Sequence, residues 1–374
     1  MAGIYIHYPF CKSRCYYCDF YTITDANLKE PFYKALHYEI GLRKDTLKGQ
    51  TIETIYFGGG TPSLLEPARI QEVLDELKNN YKVIENPEIT VELNPDDISS
   101  FYVDQLAETQ VNRISLGIQA FYNYHLQLMN RRHKVYGALK AVDRLQNKGY
   151  DNISIDLIYG LPEMTMAEWE KTLQKAVSMN IQHISAYHLT YEPGTVFDKL
   201  KKAGTLIPPD EDTSHWQFSR LAEYLESNNF IHYEISNFGR LGRFSKHNIS
   251  YWQNKPYLGL GPAAHSFDGN FRYWNAQDIS KYIRIDKKHD DIREKEELSQ
   301  TDRFNEYIMT GLRTYWGIDL NYIQSKFSEK HAADVEKKIQ KYIKSEHIKS
   351  EKSKRFLTRI GMFISDKITA ELFL

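Results

Sequence analysis

Cysteine is nearly missing from this chain of 374 residues: there are three, Cys11, Cys15 and Cys18, all inside the stretch FCKSRCYYCDF. Three thiols within eight residues point away from a disulfide framework and towards metal or redox chemistry. A charge of one sign is also missing. Lys and Arg total 48 against 49 Asp and Glu, a formal net charge of -1, so neither a basic field for nucleic acid nor an acidic disordered tail is expected. No run of about 18 apolar residues occurs, so no transmembrane helix is expected. The first residues, MAGIYIHYPFC, lack a basic segment followed by an apolar one, and the expectation is a chain without a secretory signal. What is abundant is aromatic: 27 Tyr and 18 Phe.

The chain alternates short β-rich runs with longer amphipathic stretches. The runs are 3–10, 51–60, 88–95, 112–121, 152–162 and 183–194. Helical spacing follows in 67–81, where Ile70, Val73, Leu74 and Leu77 share a face. It recurs in 135–150, with Ala138, Val142 and Leu145 inward and Gly149 as the stop, and in 166–180. Six such repeats predict an α/β fold: a parallel sheet with crossover helices, closed as a complete or partial barrel or left open and doubly wound. In each of these forms ligand chemistry collects at the carboxyl ends of the strands. The cysteines follow the first run, Gly58-Gly59-Gly60 ends the second, Glu92 the third and Gln119 the fourth, and Asp156 lies in the fifth. Beyond about 205 the alternation fades. Residues 217–231 read as helix, 286–297 as a charged, solvated connector, and the region from 299 as helices with a terminal hairpin in 355–366.

Thiolates suit iron–sulfur clusters, zinc and Cu(I). A cubane cluster is commonly held by four cysteines; with three in the chain, one iron is left open to an outside ligand. The alternatives are a structural zinc completed by His7, Asp19 or another histidine, and a disulfide with one spare thiol. The C-x3-C-x2-C spacing in a loop after the first strand resembles the signature of the radical S-adenosylmethionine (SAM) superfamily. That resemblance implies a [4Fe–4S] cluster on Cys11, Cys15 and Cys18, with SAM chelating the open iron and open to reductive cleavage.

The likeness continues through YIHYPFCKSRCYYCDF, YFGGGTPSLL, VELNP, LGIQAF, LMNRRH and DLIYGLP, in that order. These motifs resemble the anaerobic coproporphyrinogen III oxidase-like family and its HemW-type branch. The resemblance implies a partial (β/α)6 barrel with a smaller, mainly helical, winged-helix-like C-terminal domain. The expected divisions are a core over 1–235, a connecting region over 236–298 and the C-terminal domain over 299–374. It also implies roles: Tyr5 and Tyr17 beside cluster and SAM; Gly59, Gly60 and Thr61 presenting backbone and hydroxyl to SAM; Glu92 near SAM; and Gln119, Arg131 and Asp156 lining the adjacent site. Taken singly, the glycines also read as a tight turn, Glu92 as a helix cap, and Asp156 with Arg131 as an ion pair.

Two positions separate the relatives. Members that decarboxylate coproporphyrinogen III carry a further cysteine two residues after the third, where this chain has Phe20. HNISYW (247–252) matches the H-N-x-x-Y-W pattern of the HemW-type branch, associated with heme. The resemblance therefore implies heme ligation by His247, with Tyr251 and Trp252 against the porphyrin; His188, His215 and His265 are the other candidate ligands. A solvated loop histidine beside a core Tyr-Trp pair is the alternative. The expected function is a heme chaperone that binds the cluster, SAM and heme and serves apo-hemoproteins, respiratory ones in particular. A homodimer is expected, in the cytoplasm, with peripheral contact at the inner face of the membrane. The competing expectation is an oxygen-independent coproporphyrinogen III dehydrogenase.

Overall fold

A computed structural model describes residues 1–285 and 292–374. Six parallel strands run side by side in chain order: β1 (Ala2–Tyr8), β2 (Ile52–Gly59), β3 (Val83–Leu93), β4 (Arg113–Gln119), β5 (Ile153–Tyr159) and β6 (His183–His188). Each crossover carries helix, among them Lys29–Leu42, Pro67–Asn80, Val135–Asn147 and Met166–Ser178. The expected inward residues are inward: Ile70, Val73, Leu74, Leu77, Ala138 and Leu145 have no exposed surface. Gly149 (φ +99°) ends its helix in the left-handed region, and Thr165 with Glu168 forms a capping box at the start of another.

Alternation along the strands sorts the two faces. Ile55, Phe57, Ile89, Val91, Ile114, Leu116, Ile155 and Leu157 are fully or almost fully buried in the apolar core that includes the helices. The residues between them are polar and face the interior of the partial barrel. Register places Tyr5 beside Tyr56, Tyr56 beside Thr90, Glu92 beside Ser115, and Asp156 between Gly117 and Ser185. A polar interior costs stability unless its groups are paired, so this row is where ligand chemistry is to be sought.

Residues 231–285 and 292–298 extend the sheet at both edges. Beyond β6 lie β7 (Ile231–Glu234) and β8 (Asn237–Gly239). Beyond β1 lie β9 (Tyr257–Leu260), β10 (His265–Phe267), β11 (Phe271–Asn275) and β12 (Arg293–Glu297). The charged run expected as a connector is thus in part an edge strand: β12 pairs antiparallel with β11, and its charges suit an edge that must not recruit further strands. Residues 286–291 of that run lie outside the described residues.

The C-terminal region has its own core of Phe304, Ile308, Leu312, Ile323, Val335, Ile339 and Leu372. Its helices surround a small sheet of β13 (Ile318–Asp319), β14 (Ile348–Glu351) and β15 (Lys354–Leu357). The terminal hairpin is β14–β15, earlier than expected. Most of 355–366 is instead helical, Arg359–Phe363 and the start of Ser365–Leu372, because Thr358 caps the first of these helices through the Gly361 amide. The region docks on β7 through Tyr315 N to Tyr233 O (3.0 Å) and Ile235 N to Arg313 O (3.1 Å), and Arg359 pairs with Glu223 and Glu226. Among the described residues no helix is long and apolar enough to cross a membrane.

Candidate cluster and cofactor cavity

At the carboxyl ends of the parallel strands lies a cavity of about 910 Å³, near the upper end of the ~300–1,000 Å³ that ligand pockets occupy. The cysteine loop forms part of its wall. The loop is folded back on itself by Cys11 N to Ile23 O (2.9 Å) and Ile23 N to Pro9 O (2.8 Å), and its three thiols are free and half-buried.

Three successive residues of the motif LMNRRH grip this loop, and the next holds the segment after β3. Met129 O accepts from Tyr16 N (3.2 Å). Asn130, at φ +57°, donates to Arg14 O (2.8 Å). Arg131 reaches Cys15 Sγ (3.5 Å) and Gly117 O (2.8 Å). Arg132 pairs with Asp97 (3.2 Å). Thr61 donates its hydroxyl to Cys11 Sγ (3.2 Å). Two of the three sulfurs therefore already receive a donor, an arrangement suited to thiolates carrying negative charge. Without a metal, burial pushes the Cys11 thiol up and the Cys18 thiol to about 11.

The glycines serve close approach. Gly59 sits at φ +108° and its amide donates to Glu92 Oε2 (3.2 Å). A Cβ on Gly60 would stand 2.7 Å from the carbonyl carbon of Pro9. That atom is backbone at the root of the cysteine loop, so Gly60→Ala is expected to cost about 1–3 kcal/mol and to lower the iron retained after reconstitution. Urea denaturation and an iron assay check both.

On the cavity floor Glu92 accepts from Tyr56 OH (2.8 Å), and Asp156 accepts from Ser115 (3.3 Å). Burial, reinforced by the charge of Asp156, pushes the Glu92 carboxyl up to about 7; burial pushes Asp156 to about 6. Glu92 caps no helix, and Arg131 goes to Cys15 and Gly117 rather than into an ion pair with Asp156. Gln119, at φ +68°, also lines the cavity.

Of the residues expected here, the structure brings Cys11, Cys15, Cys18, Tyr17, Gly59, Gly60, Thr61, Glu92, Gln119, Arg131 and Asp156 to one cavity. Tyr5 and His247 are not in its lining. Tyr5 lies in the barrel interior, its hydroxyl 3.2 Å from His7 Nδ1. His7 Nε2 is 2.9 Å from Tyr21 O, so both nitrogens of His7 are engaged and it is not placed to complete a zinc site. His247 is 1% exposed. Its Nδ1 is 2.8 Å from Thr54 Oγ1 and its Nε2 2.8 Å from Tyr251 OH, and its ring stacks on Tyr56 (5.0 Å, 25°). Its main-chain N–H donates to the buried Glu88 (3.0 Å), so the HNISYW helix is pinned to β3. Burial pushes the imidazole down to about 3, keeping it neutral. His247→Ala is expected to cost about 2–4 kcal/mol through the lost bonds and the space left behind, read as a lower urea midpoint. Sequence reasoning missed Ser115, Tyr187 and Arg313, which also line the cavity. Tyr187 is the last but one residue of β6, and the strand-end rule could have found it.

The family model of the radical SAM superfamily matches residues 5–176, and that of the HemN C-terminal domain matches 298–364. Heme chaperone HemW of Lactococcus lactis is 35% identical over 329 residues, 86% of this chain and 84% of that protein. Heme chaperone HemW of Bacillus subtilis is 34% identical, covering 90% and 88%.

The chain belongs to the HemW family of radical SAM proteins.

Radical S-adenosyl methionine domain-containing protein 1 of Bos taurus, mitochondrial, is a more distant relative at 32% identity over 85% of this chain and 74% of that one. The solved structure of coproporphyrinogen III oxidase (HemN) from Escherichia coli superposes with a TM-score of 0.85 at 21% identity, covering 100% of this chain and 90% of that one, a likeness of fold. Membership of the radical SAM superfamily implies a [4Fe–4S] cluster and SAM. The residues present fit both groups: three thiols on one loop, two of them with donors, beside a cavity whose floor offers the Gly59–Thr61 backbone and two carboxylates.

Proposed function

We propose that this HemW-family chain is a heme chaperone. Cys11, Cys15 and Cys18 would hold the [4Fe–4S] cluster, and SAM would lie over Gly59, Gly60, Thr61, Glu92, Gln119, Arg131 and Asp156, beside Tyr17. When bound, the cluster supplies an iron open to SAM and an electron. The chain's own contribution is to donate to two sulfurs through Thr61 and Arg131, and to keep the Glu92–Asp156 floor partly protonated at neutral pH. In this reading heme is received and passed to apo-hemoproteins, those of the respiratory chain among them. The protein then works in the cytoplasm as a homodimer, against the inner face of the membrane.

The observation that carries the reading is the likeness to named heme chaperones over most of both chains. Phe20 supports it. At 62% exposure it lines the cavity beside the cysteine loop, an apolar ring where decarboxylating relatives carry a thiol. The test is paired. The anaerobically reconstituted protein is titrated with hemin, and the same sample is assayed for coproporphyrinogen III conversion with SAM and a reductant. Saturable hemin binding without conversion is expected; conversion without saturable hemin binding would establish the dehydrogenase instead.

A further inference from the structure

The cavity has a histidine of its own. β6 ends on Tyr187 and His188, and both line the cavity. The His188 ring stands edge-on to Tyr159 (5.1 Å, 78°), and its Nε2 is 3.1 Å from Ser214 Oγ. Room for it comes from Gly160, at φ +72°, where a Cβ would stand 2.6 Å from that nitrogen. Burial lowers its pKa against a smaller opposing backbone hydrogen bond at Leu189, so the imidazole is neutral at pH 7, the form that binds iron. By contrast, His247 is spent on Thr54 and Tyr251 and does not line the cavity.

A cation from the C-terminal region completes the arrangement. Arg313 lines the same cavity. Its Nη1 pairs with the exposed Asp366 (3.3 Å). Its buried Nε has no hydrogen-bond partner among the described residues. Its guanidinium lies 5.5 Å over the ring of Trp252, the last residue of HNISYW. Phe218, Ile235, Met362 and Phe363 supply apolar wall nearby. An imidazole, an underused guanidinium and apolar walls together match a flat metal macrocycle with carboxylate edges.

We propose that His188, through Nε2, is the protein's axial ligand to heme iron and that Arg313 takes a heme carboxylate, with the HNISYW helix acting through Trp252, which seats Arg313. This rests on the heme-chaperone reading. Ligation needs only that Ser214 release Nε2, with no change of charge or oxidation state in the protein.

The test is a hemin titration of the full-length protein, followed by Soret absorption and magnetic circular dichroism. His188→Gly is expected to weaken binding on the order of tenfold or more and to remove the histidine-ligated signature, which free imidazole then restores. Arg313→Leu is expected to weaken binding several-fold at an unchanged Soret position. His247→Ala is expected to keep the wild-type spectrum at a lowered urea midpoint. A wild-type spectrum and affinity in His188→Gly would overturn the assignment, as would loss of the histidine signature in a folded His247→Ala protein. Far-ultraviolet circular dichroism and cluster iron content establish that the variants are folded. If the wild-type protein takes up no hemin, the chaperone reading itself fails, and that outcome is distinct from a misassigned ligand.

Discussion

Cys15→Ser is expected to leave reconstituted protein with background iron and sulfide and without the brown colour of a cluster, while its far-ultraviolet circular dichroism stays that of wild type. The two halves of this expectation have separate causes. Cys15 is only half-buried, and its thiol meets Arg131 at 3.5 Å and the Tyr17 side chain. The guanidinium keeps its stronger bond to Gly117 O, so the change belongs among surface-like substitutions within about 0.5 kcal/mol. A serine hydroxyl, however, is a hard and weakly acidic donor where iron–sulfur chemistry requires a soft thiolate. No further cysteine exists in the chain to take its place. Thr61→Val provides the graded comparison. It removes the hydroxyl on Cys11 Sγ but no ligand, so iron is expected to be taken up and then lost more readily to a chelator, by about tenfold. Full iron in Cys15→Ser would refute the three-cysteine site. Stoichiometric zinc with no iron in the wild-type protein would refute the cluster.

The second large effect is on the pH dependence of stability. Glu92 has its pKa raised on folding from 4.5 to about 7, by burial first and by the charge of Asp156 second. A carboxyl raised in this way favours the folded state fully below pH 4.5, and that contribution is lost as pH rises through 7. Glu92→Gln cannot ionise and escapes the loss. Its carbonyl oxygen can still accept from Tyr56. The difference in unfolding free energy between Glu92→Gln and wild type is therefore expected to move by about 2–3 kcal/mol in favour of the variant between pH 5 and pH 8. Urea denaturation of the cluster-free chain at the two pH values measures it. Parallel behaviour would show that Glu92 is not the buried acid described. Asp156, raised to about 6 by burial, stays in the variant and gives the residual slope.

Much of this protein is legible in its sequence, because the physics behind those features is local. Strand-to-helix alternation follows from hydrophobic period alone, and the observed strand Ile153–Tyr159 and helix Pro67–Asn80 lie within a few residues of the expected bounds. The three cysteines declare soft-metal chemistry by identity and spacing. Other features depend on partners distant in the chain. The charged segment Arg293–Glu297 looks like a connector until β11 is there to pair with it. Arg131 is one of two adjacent arginines in LMNRRH, and only the packed loop shows which of them faces Cys15 and which faces Asp97.

The two candidate heme histidines make the division clearest. The sequence alone determined that HNISYW is a motif and that His247 is a donor of the right kind. Whether the imidazole is available is decided by Thr54 and Tyr251, which engage both of its nitrogens. Availability is a property of what else is packed nearby, and no spacing rule encodes it. His188 has no motif around it. It qualifies because β6 ends at the cavity, Gly160 leaves room for the ring, and Arg313 arrives from the C-terminal region to line the same space. Residue identity and local period thus determine the chemistry this chain carries. Tertiary packing decides which of those groups face a ligand and which are consumed in holding the fold.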